Sequence, residues 1–311
     1  LPLTVFRLRD EDQIAVLEMG ISDFGEMARL TKIAKPDTCV ITNIGTCHLE
    51  NLGDRDGVLK AKTEIFQSMK PNGHIVLNGD DDKLITVREY NGVKPVFFGL
   101  NSERDVYADQ IESKGLKGVA CRIHLGEDAF DVLVPTPGIH MVYNALAAAA
   151  VGRIYGLTIE EIRRGIESLE TIRGRFKMIE TDKFLVVDDC YNANPMSMKA
   201  SLDVLHDGEG RRVAILGDMG ELGEDEAALH EGVGIHAAIC GIDACVCVGD
   251  LAVHIAEAAR KANPDFPVYY EKTRESLLEH LNDYVQKGDT ILVKASHFMK
   301  FEEVVKALEE M

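Results

Sequence analysis

Residues Thr42 to Phe66 read T-N-I-G-T-C-H-L-E-N-L-G-D-R-D-G-V-L-K-A-K-T-E-I-F, and this stretch decides how the first half of the chain is read. The apolar run Cys39-Val40-Ile41 leads into it, so it is a buried strand's end opening into a polar loop and, after Asp56, a helix. One strand-loop-helix unit thus collects an amide (Asn43), an imidazole (His48), a carboxylate (Glu50) and two amines (Lys60 and Lys62). Loops carry function out of proportion to their length, although the same spacing also suits an ordinary connection with solvated charges.

Working outward, the polar turn Arg9-Asp10-Glu11-Asp12 precedes Ile14-Ala15-Val16-Leu17, a short apolar run typical of a strand covered on both faces. That predicts a strand with Glu18 at its carboxyl end, where the ligand crevice of a parallel α/β sheet lies. A helix over 26–34, the Cys39 strand, the Lys62 helix and a strand over 74–77 alternate, which argues a parallel, doubly wound sheet. From 96 to 134 the runs shorten between Gly, Asn and Asp and predict an antiparallel patch attached to the same domain. Pro137-Gly138 introduces an Ala-rich helix with Ile139, Val142, Leu146 and Ala149 on one stripe, closed near Gly156. Thr158 and Glu161 form a capping box for the next helix.

Residues 170–174 read as a linker, dividing the chain into domains at 1–171 and 172–311. Beyond it, strands over 184–187, 213–216, 244–248, 267–270 and 290–293 alternate with helices starting at Met196, Asp225, Leu251, Arg274 and Phe301. This is a second, Rossmann-like α/β domain. Leu229, Val233, Ala237 and Cys240 give its second helix a core-facing stripe.

Composition closes several function classes. A formal charge of −18 disfavours nucleic acid, because gripping a phosphate backbone takes clustered Lys and Arg. No apolar run approaches the ~20 residues of a membrane span, and no basic-then-apolar leader precedes the first strand, so the expectation is a cytoplasmic protein without membrane insertion. The seven cysteines include no C-x-x-C pair and read as reduced, mostly buried thiols without metal.

The Thr42–Phe66 stretch, with Glu18-Met19-Gly20 before it and Tyr191-Asn192-Ala193-Asn194-Pro195 after it, resembles the Mur ligases of bacterial cell-wall synthesis over nearly the whole chain. The likeness is greatest to the branch that adds D-alanyl-D-alanine to UDP-N-acetylmuramoyl-tripeptide, since the D-N-P-R motif of the diaminopimelate-adding relatives is absent. The resemblance implies a central ATP-binding domain, truncated at its N-terminus, then a C-terminal α/β domain. It implies ATP and Mg²⁺ as cofactors and an acyl-phosphate intermediate, because joining a carboxylate to an amine is uphill in water.

The same resemblance places Glu18 and His48 on a Mg²⁺ ion with Asn43 beside them, and makes Lys62 the lysine that becomes a carbamate with CO₂. It puts Asn144 at the adenine, Arg175 on the phosphates with Arg173 as its competitor, and Asp189 on the ribose hydroxyls. Asn192 and Asn194 would line the adenine region, although Asn-Ala-Asn-Pro is also a good helix start with Pro195 at the first position. Lys294 and Ser296 would face the incoming D-alanyl-D-alanine. There the sequence reads Lys294-Ala295-Ser296-His297, where many family members have Lys-Gly-Ser-Arg.

The phosphate loop G-x-x-x-x-G-K-S/T occurs nowhere in the 311 residues. The expectation is a chain without the UDP-binding domain and the first strand-loop-helix of the central domain, which binds ATP weakly and does not ligate alone. Another amide ligase of this type, such as a folylpolyglutamate synthase, and a non-catalytic interaction fragment are the alternatives. A Rossmann oxidoreductase would need G-x-G-x-x-G, which is absent.

Overall fold

The structure, a computed structural model, describes residues 1–46 and 48–311. The chain forms two compact units, one from Leu1–Ile111, Cys121–Val132 and Val142–Glu167, the other from Glu112–Ala120, Leu133–Met141 and Ser168–Met311.

The first unit is built on a six-stranded sheet whose order follows the sequence: β1 Thr38–Ile41, β2 His74–Asn78, β3 Val96–Gly99, β4 Val106–Ser113, β5 Val119–Leu125 and β6 Asp128–Val134. Strands β1 to β4 run parallel. Two residues join β5 to β6, a connection that requires an antiparallel pair. The expected antiparallel patch is therefore narrower than 96–134, because β3 and the start of β4 continue the parallel sheet. Alternation along β1 and β2 puts Cys39, Ile41, Ile75 and Leu77 on one face. Helices Glu26–Ala34 and Arg55–Thr63 cover that face through Met27, Val58 and Ala61.

The Ala-rich helix spans Ile139–Ile154 and buries Val142, Leu146 and Ala149, whereas Ile139, expected on the same stripe, is exposed. Thr158 and Glu161 exchange the hydrogen bonds of a capping box.

The strand expected over 14–17 is not formed. Ile14 and Val16 are 65% and 94% exposed, and among the described residues neither sheet includes a strand that pairs with them. An apolar run becomes a strand only where a neighbour takes its backbone hydrogen bonds. Glu18 accordingly sits in an irregular exposed segment rather than at a strand end.

The second unit carries a six-stranded sheet in the order β11-β10-β9-β12-β8-β7, with β7 Lys177–Glu180, β8 Leu185–Asp188, β9 Arg212–Gly217, β10 Ala244–Val248, β11 Val268–Glu271 and β12 Thr290–Lys294. All neighbours are parallel except the edge strand β7, which the sequence reading missed. Period-two alternation divides the apolar residues between two cores. Ala214, Leu216, Cys245 and Cys247 face helices Pro195–His206, Glu226–Ile239 and Ala252–Ala262. Val213, Ile215, Val246 and Val293 face helices Arg274–Tyr284 and Glu302–Glu310. Each buried Val, Leu or Ile among them stabilises the fold by roughly 1.5–3 kcal/mol, so the two-faced burial decides the architecture. The stripe of Glu226–Ile239 packs inward as read, with Val233 and Ala237 fully buried.

Candidate functional site

In the first unit, candidate residues gather at the carboxyl ends of β1 and β2. Residues 42–46 leave β1 as a loop that neighbouring side chains pin down. Asp81, after β2, accepts from Ile44 N at 2.8 Å with one carboxylate oxygen and from Lys83 N and Leu84 N at 2.9 Å with the other. Asn78 donates to the Thr42 carbonyl at 3.0 Å. Arg55 donates to the Ile44 carbonyl at 3.0 Å and pairs with both oxygens of Asp82.

Lys62 joins this arrangement directly: its Nζ donates to the Asn43 carbonyl at 2.9 Å. The amine from the helix and the amide from the loop are thus one structural unit. His48 starts the short helix Leu49–Leu52 with a φ of 59°. That left-handed conformation is unusual for a residue with a Cβ and marks a constrained position. Lys60 faces elsewhere on its helix, as expected, but is not merely solvated: its ammonium lies 5.3 Å from the centre of the Phe24 ring. It also lines a cleft of about 460 Å³ with Phe66 and Tyr90.

A second cluster in this unit was not foreseen. Asp80 accepts from Arg104 Nε at 3.0 Å, from Leu100 N and from the Tyr143 hydroxyl at 3.2 Å. Burial, and then the Asp80 charge, push the Tyr143 hydroxyl up to about 12. The pair lies across two glycines. A Cβ on Gly79 would come 2.5 Å from Arg104 Cδ, and one on Gly99 would come 2.5 Å from Asp80 Oδ2. Asn144, next to Tyr143, is exposed on the Ala-rich helix. The sequence signal for these anchors is the run Asp80-Asp81-Asp82 at a strand end, where adjacent carboxylates repel unless donors meet them.

In the second unit, candidates gather at the carboxyl ends of β8, β9 and β12, the crevice side of a parallel sheet. Asp189 accepts from Lys294 Nζ at 2.6 Å, Ser201 Oγ at 2.7 Å and Phe176 N at 3.2 Å. Lys294 also donates to the Asn192 carbonyl at 3.0 Å. Its side chain is 3% exposed and that of Asp189 is 15% exposed. The residue read as a ribose acceptor and the residue read as a substrate contact therefore form one buried ion pair. Ser296 Oγ accepts from Gly220 N at 2.9 Å and is buried. Asn194 caps the helix Pro195–His206, its side chain accepting from Ser197 N at 2.9 Å, while the Asn192 side chain accepts from Ala193 N at 2.8 Å.

Arg175 lies with its guanidinium carbon 4.2 Å from the centre of the Tyr191 ring, and that ring is 5.5 Å from the ring of His297. The competitor Arg173 instead meets Glu309 at 2.7 Å. Beneath the loop after β9, buried Asp218 accepts from Leu251 N and Ala252 N, and fully buried His230 accepts from Met219 N at 2.9 Å. Burial raises the Asp218 carboxyl and lowers the His230 imidazole, so both favour their neutral forms more than usual. Among the described residues no three His, Cys, Asp or Glu side chains gather as a ready-made metal cage.

Comparison with known proteins gives this geometry a context. Residues 1–152 match the Mur ligase middle domain, and residues 174–297 match the Mur ligase glutamate ligase domain. The UDP-N-acetylmuramoyl-tripeptide–D-alanyl-D-alanine ligase of Bacillus subtilis is 37% identical over all of this chain, which spans 67% of that protein. A crystal structure of MurF from Acinetobacter baumannii superposes with a TM-score of 0.90 at 32% identity, covering 100% of this chain and 68% of that one. MurF from Thermotoga maritima, solved in complex with ADP, superposes with a TM-score of 0.79 at 28% identity over 93% of this chain and 65% of that one.

Proposed function

The chain belongs to the Mur ligase family, and on that premise we propose that it supplies the middle and C-terminal domains of an ATP-dependent ligase joining D-alanyl-D-alanine to UDP-N-acetylmuramoyl-tripeptide. The observation that carries this reading is that a ligase of that name matches the chain from end to end. Agreement with MurF structures supports it.

The chemistry is activation followed by capture. The tripeptide carboxylate attacks the terminal phosphorus of ATP, ADP leaves, and an acyl phosphate forms. The dipeptide amine then attacks the acyl carbon, and phosphate leaves with the bonding electron pair. Catalysis of such transfers is mostly positioning and charge stabilisation. The loop after β1 is built for positioning, because Asp81, Asn78, Arg55 and Lys62 hold its backbone from four sides.

Donor chemistry in the first unit suits Mg²⁺ held largely by phosphates and water. The Glu18 carboxylate and the Asn43 amide are oxygen donors, and such a site needs only one or two protein ligands. Lys62, as a carbamate, would add a further oxygen, and His48 the less usual nitrogen. Bound Mg²⁺ would neutralise charge on the transferring phosphoryl group. Asn144, exposed in the first unit, and Arg175, exposed in the second, serve the nucleotide, whereas Arg173 is engaged by Glu309. Asp189, Asn192 and Asn194 keep the second unit's loop in shape for it. The reading also places the protein in the cytoplasm; none of the described helices is long and apolar enough to cross a membrane.

Titration of the chain with ADP and Mg²⁺ tests the reading. ADP should bind, and Arg175→Ala should weaken it about tenfold, the scale of one charge-assisted hydrogen bond. Intact-mass measurement under CO₂ should show one added CO₂ that Lys62→Arg abolishes. A chain that binds no ADP at millimolar concentration contradicts the proposal.

A further inference from the structure

The cleft beside Lys60 plays no part in the ligase chemistry, and its walls are of a definite kind. It encloses about 460 Å³ in the first unit, between the helix Arg55–Thr63, the turn that follows it and the segment around Tyr90. Phe66, 2% exposed, lies at the bottom, and Tyr90 leans on it with ring centres 5.3 Å apart. Leu59 and Val87 add aliphatic sides. Lys60 and Lys62 are two positions apart, about 200° around a helix, so the cleft opens away from the loop after β1 that Lys62 holds.

The charges around it do not balance. Two carboxylates line the cleft, and each is already engaged. Asp56 pairs with Lys83 Nζ at 2.6 Å. Glu64 turns to the start of the helix Glu26–Ala34, one of its oxygens accepting from Gly25 N at 2.9 Å and from Ala28 N at 3.3 Å. Lys60 differs: its ammonium faces the Phe24 ring, and among the described residues no carboxylate pairs with it. A ring face attracts a cation without neutralising it. An anion entering the cleft therefore gains a counter-ion, whereas a cation would meet Lys60 and have to compete with Lys83 for Asp56.

Size then decides between a small ligand and a protein. Small-molecule sites span roughly 300–1,000 Å³, and the cleft falls within that range, while a stable protein interface covers about 800 Å² on each partner. We infer that the cleft is a binding site for a compact aromatic carboxylate, its ring packed against Leu59, Phe66 and Tyr90 and its carboxylate meeting Lys60 at the mouth. The site stands apart from the reaction proposed above, and neither depends on the other.

Phenylacetate is the probe, titrated into the whole chain and followed through backbone amide chemical shifts, with phenylacetamide and benzylamine beside it. At ordinary ligand efficiency an acid of this size binds with a dissociation constant of about 5 mM. Shifts should concentrate at residues 59–67 and 87–90. Phenylacetamide should bind about threefold to fivefold more weakly, the scale of a solvent-exposed ion pair, and benzylamine more weakly still. Lys60→Gln should remove the preference for the acid, Lys60→Arg should keep it, and Tyr90→Ala should weaken acid and amide alike. Lys60 is exposed, so the melting temperature of Lys60→Gln should stay within a degree or two of wild type, which separates recognition from folding. Shifts that gather elsewhere in the chain, benzylamine binding more tightly than phenylacetate, or a preference for the acid that survives Lys60→Gln would each overturn the assignment.

Discussion

Two strand-end loops, one in each unit, solve the same problem with different materials. The loop after β1 is held by a partly exposed mesh of single hydrogen bonds from Asp81, Asn78, Arg55 and Lys62. The loop after β8 is held by a desolvated Lys294–Asp189 pair, reinforced by Ser201 and the Phe176 amide. A mesh spreads its contribution and tolerates losses, whereas a buried pair concentrates it, because either charge left alone has no water to turn to. The first arrangement can adjust around ligands. The second fixes a scaffold.

The sharpest attempt to break this contrast is Lys294→Met. It should destabilise by about 3–5 kcal/mol in urea unfolding, since it strands the Asp189 carboxylate, and pairing it with Asp189→Leu should recover much of the loss. Asp81→Ala should cost less, about 2–3 kcal/mol, by releasing three backbone N–H groups, of which the Ile44 amide should then exchange faster with solvent. A larger loss for Asp81→Ala than for Lys294→Met would overturn the comparison.

Acid sharpens it further within the second unit. His230 is buried, accepts from Met219 N, and has Asp218, Glu226 and His254 as its charged or titratable neighbours. Its folded-state pKa lies below the ordinary 6.5, so the unfolded chain binds the extra proton first. The stability it contributes is complete above pH 6.5 and declines as pH falls from there towards the folded value, by at most about 1.4 kcal/mol per pH unit. Melting temperature should drop across that window, and His230→Asn should flatten the drop. The smallest effect expected is Asn194→Ala, about 1 kcal/mol for a lost helix cap, with no change in the pH profile.

What could be read from the sequence followed burial. Strands β8, β9, β10 and β12 announce themselves as apolar runs because both their faces are covered. Lys177-Met178-Ile179-Glu180, half-buried at a sheet edge, gives no such run, and β7 went unread. Ile14-Ala15-Val16-Leu17 fails in the opposite sense: the run is present, but local pattern says nothing about a neighbouring strand. For the sites, residue types were legible and partners were not. Lys294 reads as a cation ready for substrate, and nothing near it in sequence shows that Asp189, 105 positions earlier, already occupies it. Asn194 could be read, because a cap is a local device.

The glycines under the Asp80–Arg104 pair bear on how this sequence can drift. Gly79 and Gly99 are bare because the two charged side chains lie across them, so four positions scattered over 26 residues behave as a single inherited character. A lineage can gain a side chain at Gly99 only after Asp80 has shortened or moved. Loss of Asp80 in turn frees the Tyr143 hydroxyl and leaves Arg104 to find another counter-ion. A side chain at Gly79 or Gly99 should therefore cost more stability with the Asp80–Arg104 pair in place than after that pair has been removed.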